Sequence, residues 1–139
     1  EIHATDIDET NTFCKIITEA VYPEGELSRM PKDIFDKYFA PTETSGMMKL
    51  DDRIRSRVSF TKNDLLKLSP ISSDYSLIIC KNVLLHLQPN ERIEVIRMFH
   101  KSLAKDGLFT TEQTQSMPKE CEHLFQKLAN DANVYQKIG

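Results

Sequence analysis

Three places in this 139-residue chain set polar, chemically capable side chains directly behind a short apolar run. The clearest is 75–87, YSLIICKNVLLHL, where an apolar, β-branched run over 77–80 ends abruptly in Lys81-Asn82. A run that short reads as a buried strand delivering side chains to its carboxyl edge. That edge is where open α/β sheets keep their ligands. Residues 83–87 are apolar again but carry His86, whose imidazole titrates near neutral pH. A second run, Val58-Ser59-Phe60, alternates as a strand and stops in Lys62-Asn63-Asp64-Leu65. The third, residues 2–5, closes on Asp6-Ile7-Asp8. Read alone, Asp6 and Asp64 serve equally as strand-end turn residues, Asn82 as a local backbone cap and His86 as a satisfied, half-buried side chain.

Such tips need elements to hold them. Residues 10–20 can form a helix burying Phe13, Ile16, Ile17 and Ala20, with Glu9 near its positive end and Pro23 limiting it. A second helix lies within 24–39, opened by Pro31 and burying Ile34, Phe35, Tyr38 and Phe39. Turn residues around Ser45-Gly46 allow a small antiparallel hairpin, an insertion over 38–50. Arg53, Arg55 and Arg57 read as a solvated face or as an anion site. Residues 90–104 repeat Ile93, Ile96, Phe99 or His100 and Leu103 on one helical face, capped by Asn90 and stopped by Asp106-Gly107. Strands over 108–111 and 134–138 flank a helical or irregular stretch at 119–128. Strands alternating with helical periods predict an α/β fold with a mostly parallel sheet and an antiparallel edge.

Composition bounds the class. With 40% hydrophobic and 28% charged residues, the chain reads as one globular domain spanning 1–139. Its apolar runs fall far short of the ~20 residues of a spanning helix, and its amino-terminal residues lack a signal-peptide pattern, so a cytoplasmic protein without membrane insertion is expected. Cys14, Cys80 and Cys121 are odd in number and include no CxxC, which predicts reduced thiols and no metal site. A net charge of −3 argues against non-specific nucleic-acid binding.

The order ATDID, YPEGEL, KYF, RVSF with NDLL, DYSLIICKNVLLHL, KDG and NVYQKI resembles the catalytic domain of the CheR-type chemotaxis receptor methyltransferases. The resemblance covers essentially the whole chain. It implies a Rossmann-like class I methyltransferase sheet, mostly parallel with an antiparallel last strand, and a small antiparallel insertion. It also implies S-adenosylmethionine as cofactor, S-adenosylhomocysteine as product, and methyl transfer to glutamate side chains of chemotaxis-type receptors. In that pattern Asp6 is the acid that holds the ribose hydroxyls, Asp64-Leu65 the pair at adenine, Lys81-Asn82 the pair at the cofactor, and His86 lies on the acceptor side.

Three positions depart from the family. Asp64 stands where the family has asparagine and is acceptor-only when ionised. Lys81 replaces arginine, a point charge in place of a planar fork, and His86 replaces tyrosine. The resemblance also places the family's first strand and glycine-rich loop before Glu1, between the strands ending at Asp6 and Lys81. Two open strand edges would follow, so the expectation is direct pairing of 2–5 with 77–80, a strand-sharing homodimer, or completion by an amino-terminal segment. A signalling or receptor protein is the expected partner. The alternative reading is a degenerate methyltransferase-like interaction module that docks such a partner through the 38–50 insertion without catalysis.

Overall fold

The computed structural model describes residues 1–139, which divide into two compact units, Glu1–Asn63 and Asp64–Gly139. In the first unit, β1 (Ile2–Asp6) runs parallel to β5 (Val58–Lys62), with Asp6 opposite Lys62. Between them come α1 (Thr12–Glu19), β2 (Val21–Pro23), a 3-10 turn at Glu24–Leu27, α2 (Lys32–Tyr38), β3 (Phe39–Pro41), β4 (Met47–Leu50) and α3 (Asp52–Arg55).

The predicted hairpin forms, with Gly46 supplying a φ of 75° at its turn. It is also larger than expected, because β2 pairs antiparallel with the other edge of β4 and gives the order β2-β4-β3. Helix α2 follows Pro31 as anticipated and stacks Phe35 on Phe39 at 5.8 Å, with Tyr22 edge-on to the same ring. Ile34, expected inside, is 39% exposed. Helix α1 turns a different face inward from the predicted one. Ala20 is buried and Cys14 and Ile17 are half-buried, whereas Phe13 and Ile16 are exposed. A rotation of one residue on a helix moves a side chain by about 100°, enough to exchange the two sets. Arg53 chelates the Asp51 carboxylate, and Arg55 donates to the Thr18 carbonyl, so these two arginines serve local structure.

The second unit contains β6 (Tyr75–Cys80), α4 (Pro89–Ser102), β7 (Leu103–Thr111), α5 (Lys119–Glu122), β8 (Phe125–Lys127) and β9 (Val134–Lys137). Its sheet has the order β6-β7-β9-β8, parallel between β6 and β7 and antiparallel thereafter, so the antiparallel last strand is as predicted. Direct pairing of β1 with β6 is not what forms: β1 pairs with β5 and β6 with β7, in separate sheets. Helix α4 begins two residues earlier than Asn90 would have set, because Pro89 suits the first turn and Glu91 accepts from the Gln88 N–H at 2.8 Å. It buries Val95, Ile96, Met98 and Phe99.

One face of β6 departs from the expectation of burial. Cys80 is buried and Ile78 packs against the core, while Leu77 and Ile79 are 48% and 62% exposed. The Asp106-Gly107 pair also acts differently from the helix stop predicted. The helix ends at Ser102, and β7 runs through the pair, with Asp106 left-handed at φ 60° and a register shift between Tyr75 and Leu77. Here the two strands approach so closely that a Cβ on Gly107 would lie 2.8 Å from the Tyr75 carbonyl oxygen.

The core centres on Phe109, fully buried, with ring contacts to Phe99, Phe125 and Tyr135. Phe109→Ala is expected to cost about 3–5 kcal/mol of stability. Gly107→Ala, which adds one methyl against backbone rather than removing a ring, is expected to cost about 1–3 kcal/mol. Urea midpoints of the two variants check both values.

Candidate functional site

In the first unit, Asp6 ends β1 at the carboxyl edge of a parallel pair. Its Oδ1 accepts from the Asp8 N–H at 2.8 Å, and its backbone oxygen accepts from the Asn63 N–H. No protein donor reaches Oδ2. Asp8, two residues on, is only 3% exposed and sits at φ 40°. Its two oxygens accept from the Phe13 and Cys14 N–H groups at 3.0 Å each, the free donors at the start of α1. Asp8, rather than the predicted Glu9, is therefore the anion at that helix. Burial works against its ionisation, but the Cys14 and Phe13 N–H groups, Lys62 and the Thr12 N–H together hold its pKa below the ordinary 3.8. Burial of Asp8 had no signal in composition; its place just ahead of a helical run was the available one.

In the second unit, Asp64 opens a 3-10 turn at Leu65–Lys67 by accepting from the Leu66 N–H at 3.0 Å through Oδ1. Leu65 packs against the unit's core. The local turn role weighed for Asp64 is thus present, and its Oδ2 has no protein partner.

The ends of β6 and β7 meet because their ladder closes with Cys80 opposite Thr111. Just beyond it, the Lys81 ammonium donates to the Thr111 carbonyl at 2.9 Å. Asn82 takes a left-handed backbone at φ 57° and donates its N–H to Glu112 Oε2 at 3.1 Å. The Thr111 hydroxyl donates to the same oxygen at 2.9 Å. Glu112 Oε1 is buried and has no partner. Just ahead of β9, the buried Asn133 holds the segment after β7, its Nδ2 donating to the carbonyls of Glu112, Gln113 and Gln115, while Tyr135 OH donates to its Oδ1. His86 is exposed at the end of the 3-10 turn Leu84–His86, whose Leu84 is buried, beyond the tip.

The structure therefore brings Lys81 and Asn82 together with Glu112 and Asn133, two residues that sequence reasoning did not single out. Asn133 begins the quoted NVYQKI motif, which was the signal for it; for Glu112 the only signal was its place directly after a strand. The site's electrostatics are mixed. Burial opposes ionisation of Glu112, yet N–H groups of its own backbone and of Asn82, the Thr111 hydroxyl and Lys81 outweigh it and lower the pKa from 4.5. Burial pushes the Cys80 thiol up to about 11, with the Glu112 charge adding to the rise and the Leu84 N–H opposing it. The arrangement offers a fixed polar edge with an unpaired acceptor, an exposed amide and an ammonium. No group of three or more His, Cys, Asp or Glu side chains is arranged to hold a metal ion.

Compared with known proteins, residues 1–134 match the family described as CheR methyltransferase, SAM binding domain. A probable chemotaxis protein methyltransferase of Rhizobium etli is 22% identical, with 100% of this chain and 52% of that protein aligned. A chemotaxis protein methyltransferase of Vibrio anguillarum is 26% identical over 84% of this chain and 42% of its own length. One of Borreliella burgdorferi is 27% identical over 64% and 31%. The chain thus spans about half, or less, of the curated relatives it matches. A solved structure of a Pyrococcus horikoshii OT3 protein superposes at a TM-score of 0.50 and 15% identity, covering 99% of this chain and 72% of that one, a likeness of fold.

Two outcomes follow from the burial and the carboxylates described. Asp8 has a depressed folded pKa, so its contribution is fully present above 3.8 and disappears as pH falls through the lower folded value. Amide protection of Phe13 and Cys14, corrected for intrinsic exchange, should fall over that range in the native chain and stay flat in Asp8→Asn. Cys80 and Cys121 are buried with raised thiol pKa values, whereas Cys14 is partly accessible. An aromatic disulfide reagent at pH 8 should therefore titrate one thiol rapidly and the other two only on unfolding.

Proposed function

Because the chain belongs to the CheR methyltransferase family, matching its SAM-binding domain, whose cofactor is S-adenosylmethionine, we propose that residues 1–139 act as one catalytic domain that transfers a methyl group to glutamate carboxylates of chemotaxis-type receptors. The observation that carries this reading is the family match across residues 1–134. The chain's own groups suit the cofactor in kind. Asp6 keeps one carboxylate oxygen for the ribose hydroxyls, and Asp64 keeps one for the adenine amino group, with Leu65 beside it. Asn82 presents an exposed amide at the β6 tip, and Lys81 stiffens that tip through the Thr111 carbonyl.

When bound, the cofactor supplies an electrophilic methyl group on a sulfonium. An acceptor carboxylate needs no general base, so the chain's task is to align acceptor and donor in line and to exclude water. His86, exposed at the end of its turn, is the residue assigned to orient the acceptor. It replaces a phenol with an imidazole, which can still donate one hydrogen bond. The three-stranded β2-β4-β3 sheet is the assigned docking element for a receptor tail, by strand addition at an edge.

Calorimetry with S-adenosylhomocysteine tests the reading, on the chain and on the longest natural polypeptide that contains it. Binding should occur, and Asp6→Ala should weaken it about tenfold or more, the loss of a charge-assisted hydrogen-bond acceptor. Tritiated methyl incorporation into receptor should fall with His86→Ala while S-adenosylhomocysteine affinity holds. Absence of binding by both polypeptides overturns the assignment.

A further inference from the structure

We propose that Glu112 is a positioning residue: its carboxylate sets the left-handed backbone of Asn82, and so aims the β6 tip toward the ligand. This rests, for its ligand, on the function proposed above. The β6-β7 ladder ends at Cys80 and Thr111, and beyond it backbone donors must find other partners. Asn82 finds Glu112 Oε2 at 3.1 Å, not a carbonyl. The same oxygen is fixed from a second side by the Thr111 hydroxyl at 2.9 Å. Its own backbone is fixed as well, because Asn133 Nδ2 donates to the Glu112 carbonyl at 2.8 Å. The Glu112 side chain therefore ties Asn82 to the end of β7, while Asn133, just ahead of β9, holds the backbone of Glu112 itself.

Geometry says why a carboxylate does this. Asn82 has a φ of 57°, a left-handed conformation that asparagine tolerates better than most residues and that a bond to its N–H selects here. Its N–H is the backbone group that Glu112 restrains. The titratable groups facing the carboxylate are Lys81 and the Cys80 thiol. Lys81 is itself held on the Thr111 carbonyl, so the positive charge stays beside the clamp without replacing it. Glu112 Oε1, buried and unpartnered, adds an acceptor at the same spot.

Amide exchange by NMR, without ligand, reads the clamp directly. In Glu112→Ala the Asn82 amide should exchange about tenfold faster, the loss of one hydrogen bond, while the core amide of Phe109 changes less than about twofold. In the native chain the Asn82 protection factor should fall as pH is lowered through the Glu112 titration. In Glu112→Gln, which keeps an oxygen acceptor but no titration, it should stay within about threefold of native and flat with pH. Glu112→Ala should also weaken S-adenosylhomocysteine about fivefold or more, with Glu112→Gln recovering most of the loss.

Equal Asn82 protection in native chain and Glu112→Ala overturns the proposal. So does equal acceleration of Asn82 and Phe109, which marks a general loss of stability. If Glu112→Ala does not fold, a native pH profile as flat as that of Glu112→Gln overturns it instead. Undiminished S-adenosylhomocysteine affinity in Glu112→Ala overturns the ligand part. A native chain that binds none sinks the proposed function, and the protection measurements still decide the clamp.

Discussion

Parallel pairing of β6 with β7 is the constraint on which the second unit depends. Parallel neighbours cannot be joined by a tight turn, so a crossover must carry the chain back, and here α4 does so with Val95, Ile96, Met98 and Phe99 turned into the core. The same pairing sets both carboxyl ends at one edge. Lys81 and Asn82 consequently meet Thr111 and Glu112, 30 residues away in sequence. A ladder that ends leaves backbone donors and acceptors over, and the polar side chains at this edge take them up. The proposed ligand contacts and local structural necessity thus fall on the same residues.

Opposed effects decide the charge state of the edge. Burial alone would favour a neutral Glu112, but two N–H donors, a hydroxyl and a nearby ammonium outweigh it. For Cys80 the Leu84 N–H alone opposes the rise, and burial wins with help from the Glu112 charge. A carboxylate held ionised beside a thiol held neutral gives one fixed negative centre. In the first unit Asp8 shows the same balance, where helix N–H groups overcome burial.

Period and punctuation made much of the fold legible in advance. The apolar run before Lys81 gave β6, Ser45-Gly46 gave the β3-β4 hairpin, and the 3.6-residue period gave α4 to within two residues at either end. What was missed turned on tertiary placement. β2 is only three residues long and is defined by β4, not by its own pattern. Phe13 and Ile16 carry the right spacing for a buried stripe, yet Ala20, Ile17 and Cys14 face inward, a choice that spacing alone leaves open. Asp106-Gly107 looks like a helix stop because the sequence does not reveal that Gly107 lies against the Tyr75 carbonyl. At the site, Lys81, Asn82, Asp6 and Asp64 were visible as polar ends of apolar runs. Glu112 and Asn133 were not, since their roles come from partners 30 and 21 residues away.

The proposed ligand contacts lie at strand carboxyl ends, above all at the β6-β7 edge of the second unit. The most direct test of this placement is a map of amide chemical-shift changes as S-adenosylhomocysteine is added to the isotope-labelled protein. The account predicts the largest changes at Asp6, Asp64, Leu65, Lys81, Asn82 and Glu112, with the β2-β4-β3 sheet little affected. Saturable changes confined to residues away from these strand ends would contradict it.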